Sequence, residues 1–133
     1  MWKPETFPIA LGPHSIDHRA GYTYRGLGIH MSMKASPKGR RPPRWKVTHL
    51  GSGHAVAVID GDVAGAFPIA TEIAECSDWD FDGLDGWRNR DPELPSKVQE
   101  IIARHGKRAR KPGGAFAASD EAAKLVLNAR LES

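Results

Sequence analysis

Apolar residues change their spacing along the chain, and each change predicts a new element. Leu27, Ile29, Met31 and Met33 alternate with smaller or polar residues, the period of a half-buried strand, so the pattern predicts one strand over 22–34. Its other face carries Tyr22, Tyr24, His30, Ser32 and Lys34, with Gly26 and Gly28 leaving room for a bulge or a close backbone. Residues 45–50 and 54–59 read as two further strands. Gly51-Ser52-Gly53 between them supplies the positive φ that a hairpin turn needs. A three-stranded antiparallel meander over 22–60 results. Residues 1–21, with prolines at 4, 8 and 13 and no clear period, read as an extended N-terminal arm pinned by Trp2, Phe7, Ile9 and Leu11.

Beyond the third strand the spacing becomes helical. Val63, Ala66, Phe67, Ala70, Ile73 and Ala74 predict a packing helix over 63–76 that either starts or bends at Pro68. Residues 77–95 are rich in turn formers and acids. Ser96, with Gln99 three residues on, has the form of a capping box for a helix over 97–105 that stops at Gly106. Residues 107–114 read as a basic linker. Ser119 caps a last helix whose apolar stripe is Ala122, Leu125, Val126 and Ala129. The predicted fold is therefore a single α+β domain over 1–133: a three-stranded antiparallel sheet packed by one helix, with two further C-terminal helices.

Composition narrows the setting. The 133 residues suit one domain, and the single cysteine, Cys76, precludes an internal disulfide, which fits a reducing, cytoplasmic compartment. The start, Met1-Trp2-Lys3-Pro4, lacks the apolar run of a signal peptide, and no stretch has the roughly 20 apolar residues that cross a bilayer. The net charge of +3 conceals a strong segregation. From His18 to Ile59 there are eight basic residues and no Asp or Glu; from Asp60 to Glu100 there are eleven acids and three basic residues. Such an arrangement points either to a positive and a negative face or to halves that neutralise each other across the fold.

The acidic part contains the sharpest local pattern, Asp78-Trp79-Asp80-Phe81-Asp82-Gly83. Alternating aspartates before a glycine resemble the opening of a calcium loop, but the closing carboxylate position falls on Asn89. Two other readings fit the same residues. Trp79 and Phe81 can anchor the chain while the aspartates face water, or the segment, with Asp85 and Trp87, can form an acidic aromatic docking patch for a protein or nucleoprotein partner. His14 and His18 flank Asp17 at a spacing that suits a metal only on a helix, which Gly12 and Pro13 disfavour. Cys76 at a helix end and Ser52 in a hairpin turn lack the settings that activate nucleophiles. No catalytic residue, cofactor or metal site is predicted. Tyr22, Tyr24, His30, Lys34 and Lys46, with Lys38, Arg40, Arg41 and Arg44 on the adjoining loop, predict a basic, aromatic sheet face for nucleic acid. Lys107, Arg108, Arg110 and Lys111 are either a second phosphate-binding run or a solvated linker.

The layout Trp45-x-Val47-Thr48-His49-x-Gly51-Ser52-Gly53, then a helix through Ala66, Ala70 and Ile73, then Asp78-Trp79, resembles small proteins of phages and mobile elements. Anti-CRISPR-type inhibitors are among them. The likeness covers about the central third of the chain and rests on layout, so it transfers no functional residue. It implies a non-catalytic inhibitor or accessory protein that turns a charged face to a nucleic-acid-handling complex. The alternative from the residues themselves is a direct, weakly sequence-selective nucleic-acid binder.

Overall fold

The chain turns back on itself at Arg25 and Gly26, inside the segment whose alternation reads as one strand. Both residues have positive φ, 54° and 89°, as a two-residue hairpin turn requires. The computed structural model describes residues 1–12, 14–32, 43–82, 87–112 and 120–131. In it the hairpin joins β2 (Ser15–Tyr24) to β3 (Leu27–Met31). Three more strands follow the same antiparallel path on either side: β1 (Lys3–Gly12), β4 (Arg44–His49) and β5 (Ala55–Asp60). A two-residue strand, β6 (Ala109–Arg110), closes the far edge, and the order is β1-β2-β3-β4-β5-β6.

The three-stranded expectation is thus corrected to a six-stranded antiparallel sheet with three helices, still an α+β architecture. The physical reasons differ by element. The expected arm is a strand hairpin because β1 is an edge strand. Its ladder keeps register across Pro4 and Pro8, as it does when the missing amide donors face the open edge. The expected linker contributes β6 because Ala109 is buried against β5 and Arg110 pairs with Asp60, a two-residue element too short to leave a period in sequence.

Asp62 caps helix α1 (Val63–Glu75), its carboxylate accepting the Gly65 amide at 2.9 Å, and the helix continues through Pro68. Helix α2 (Leu94–Arg104) starts earlier than Ser96 because Pro95 sits comfortably in a first turn; Ser96 lies inside it and Gly106, at φ 60°, stops the chain beyond it. The main core joins Leu27, Ile29, Val47, Ala57 and Ile59 of the sheet to Ala66, Ile69, Ala70 and Ile73 of α1 and to Leu94, Val98, Ile101 and Ile102 of α2. Phe7, Ile9 and Leu50 make a second, smaller cluster. Helix α3 (Asp120–Leu131) contacts β1 and β2 and buries Ala123 and Val126; Leu125, expected in its apolar stripe, is exposed.

Candidate functional site

The acidic aromatic segment leaves α1 and crosses the turn between β2 and β3. Trp79 is fully buried, and its indole N–H donates to the Ile73 carbonyl at 2.9 Å. Gly26 permits this crossing, because a Cβ there would collide with the Trp79 and Asp80 backbone. The Trp79 carbonyl meets His49 Nε2 at 3.0 Å. A carbonyl only accepts, so Nε2 carries the proton and Nδ1 accepts the Ser52 hydroxyl at 2.9 Å. Ser52 Oγ in turn accepts the His54 amide at 3.2 Å. Burial pushes the His49 pKa down to about 4, so the ring is neutral at pH 7.

Phe81 continues the inward set. Its ring lies 4.4 Å from that of His49, and the Arg90 guanidinium stands 5.2 Å over it. Trp87, in a short 3-10 turn Trp87–Asn89, is 4% exposed, donates to the Ala55 carbonyl at 3.3 Å and is covered by Arg88. Asp78, Asp80 and Asp82 point the other way and are exposed. Asp78 also accepts the Asp80 amide at 3.0 Å, which stiffens the turn. Aromatic residues therefore fasten this segment, and its accessible chemistry is carboxylate. Asp85 lies outside the described residues. Among the described residues no three His, Cys, Asp or Glu converge as metal ligands. His14 and His18 fall in a turn and a strand, where the helical spacing argument does not apply.

The basic residues are placed differently from the expected sheet face. Across a two-residue turn the pairing is Tyr22 with Ile29 and Tyr24 with Leu27, so both tyrosines join the face of the main core. Tyr22 packs edge-on against Phe67 at 5.3 Å and Tyr24 lies 5.4 Å from Trp2. His30 and Lys46, paired with each other, face the opposite side. His30 is 4% exposed, beside Phe7, and burial first, then Lys46 and Arg19, push its pKa down to about 4. Arg44 and Arg110 both pair with Asp60. Burial alone would raise the Asp60 carboxyl, but the Arg110 hydrogen bond and the two arginine charges outweigh it and hold it below its usual value. Lys107, Arg108 and Lys111 are exposed, whereas Lys34, Lys38, Arg40 and Arg41 lie outside the described residues. Tyr22 and Tyr24, which the sequence set on one face with His30 and Lys46, thus lie on the other side of the sheet from them.

A feature that sequence reasoning missed lies along α1. A groove of about 710 Å³ runs between the N-terminal residues and the helix, with walls from Trp2, Tyr22 and Phe67. The signal was present in the sequence as Trp2 and Phe67, but nothing in their separation announces that they meet.

Fold and site together define an α+β domain with a carboxylate-bearing edge held rigid by buried aromatics. Compared with protein-family models, curated proteins and solved structures, the chain matches none.

Proposed function

We propose that this chain is a non-catalytic binding protein, an inhibitor or accessory factor of phage or mobile-element type. It acts on a nucleic-acid-handling complex by presenting an acidic edge to a basic surface of that complex. One observation carries the reading: Asp78, Asp80 and Asp82 are exposed on a segment whose intervening Trp79 and Phe81 are anchored in the protein. A rigid row of carboxylates is pre-organised to meet a surface built for phosphates, and it loses little conformational entropy on binding. The Ser52–His49 pair gives no rival catalytic reading, because both residues are fully buried and their polar atoms are spent on each other, the His54 amide and the Trp79 carbonyl. Cys76 is no better placed: burial pushes its thiol up, and Lys97 only partly opposes this.

The test is affinity capture from the native host with and without nuclease, using the wild type and a double variant, Asp78→Asn with Asp80→Asn. The expected outcome is a protein partner that persists after nuclease and is lost with the variant, whose melting temperature stays that of the wild type. Undiminished capture by the variant, or loss of the partner on nuclease treatment, overturns the reading.

A further inference from the structure

The groove along α1 has a polarity of its own. It begins beside Val63, the first residue of α1, which is 54% exposed, and ends at Glu75, the last. Its walls are fixed rather than adaptable. The Trp2 indole N–H donates to the Thr71 hydroxyl at 2.8 Å, and that hydroxyl donates to the Phe67 carbonyl at 2.7 Å. Phe67 itself meets Trp2, Tyr22 and Trp45 at ring separations of 5.9, 5.3 and 5.4 Å. Aromatic walls left open to water are a surface that a partner gains by covering.

The other end is negative. Glu72 is balanced by Arg104 at 3.6 Å, and His105 Nε2 hydrogen-bonds it at 2.5 Å. Glu75 is exposed and accepts the Tyr24 hydroxyl at 3.2 Å. The last turn of α1 holds no basic residue, and Asp78 and Asp80 follow it. Arg25 reaches this end, but it donates to the carbonyls of Ala74 and Ser77. Arg25 thus already answers the helix C-terminus, and a further cation is favoured here by the exposed Glu75 carboxylate and by the faces of nearby rings.

We infer that this groove receives an extended basic segment of a protein partner, with an apolar side chain over Trp2, Tyr22 and Val63 and an Arg or Lys beside Glu75. The helix rises about 18 Å between Val63 and Glu75, which an extended peptide covers in about six residues. Apolar anchor and cation therefore stand about five residues apart in the segment. The inference rests on the proposed acidic, partner-binding reading and adds the chemistry of what is bound.

The probes are three capped eight-residue peptides: one with Leu near one end and Arg five positions on, one with Ser for the Leu, and one with Glu for the Arg. Binding is read by isothermal titration, and location by amide shifts of α1 and Trp2. The first peptide is expected to bind at least about tenfold more tightly than either control, and Val63→Arg or Glu75→Lys to weaken it by a similar factor. Both positions are exposed, so each variant is expected to keep the wild-type melting temperature. Equal binding of the three peptides, no binding at all, an unchanged affinity in both variants, or shifts from a hexanucleotide in place of the peptide overturns the inference. Its failure separates from that of the functional reading. If the peptides fail while capture still depends on Asp78 and Asp80, the acidic edge stands and the groove falls. If the peptide binds while the double variant retains capture, the groove stands and the edge falls.

Discussion

His49 joins three segments that are distant in sequence: its own strand, the turn at Ser52 and the Trp79 carbonyl. Its role is to satisfy buried polar groups, and a neutral ring does this only while it stays neutral. His30, on β3 beside Phe7, is also neutral, in its case chiefly because it is buried. Both rings titrate near pH 4 when folded and near 6.5 when unfolded, so between those values the unfolded chain binds more protons. Stability is accordingly full above about pH 6.5, falls as the pH drops toward 4 and levels off below, by about 3 kcal/mol at most for each histidine. His54, also lowered chiefly by burial, acts in the same direction. Urea midpoints taken from pH 7.5 to 4.5 check this above the carboxylate range. A flat profile there contradicts the neutral buried rings.

At the scale of elements, the β2–β3 hairpin decides most. Arg25 and Gly26 turn the chain in two residues, and that parity carries Tyr22 and Tyr24 to the α1 side while His30 stays on the other. Gly26→Ala puts a side chain into a left-handed position and against the Trp79 backbone, so it disturbs the turn and the acidic segment together. The expected cost is about 2 kcal/mol or more in a urea melt. Trp fluorescence, to which the buried Trp79 contributes, is expected to report a loosened segment before global unfolding. A loss below about 0.5 kcal/mol would mean that the turn has room the geometry denies.

At the scale of the whole molecule, the described residues form two apolar centres of unequal size. The larger lies under α1 and α2; the smaller gathers Phe7, Ile9 and Leu50, with α3 against β1 and β2 nearby. Val126 of α3 sits against Gly53, whose carbonyl holds the Ala10 amide at 2.9 Å. Val126→Asp places a charge in that contact, and because α3 meets the sheet at β1 and β2, the damage is expected to be local. Amide exchange should quicken in β1, β2 and the turn at Gly53 while the paired residues of β4 and β5 keep their protection. Uniform acceleration across the sheet would show one cooperative core instead. Charge is arranged at this scale too: Asp60 draws in Arg44 and Arg110, joining the basic and acidic parts, while the aspartates after α1 stay at the surface.

The sequence by itself determined what depends on near neighbours: strands β4 and β5 with the glycine turn between them, and the amphipathic α1; for Asp78 to Asp82 it offered inward aromatics and outward aspartates as one of three readings. These patterns are written within a few residues, where period and turn chemistry act. Tertiary structure decided the rest. Whether Pro4 and Pro8 lie in a loop or on an edge strand depends on what pairs beside them, and β6 exists only because β5 offers an open edge to two residues. The tyrosines changed sides because one two-residue turn reversed their parity, and the groove arose because Trp2 was brought to Phe67 from the far end of the chain. Long-range pairing sets those outcomes, and no local spacing encodes it.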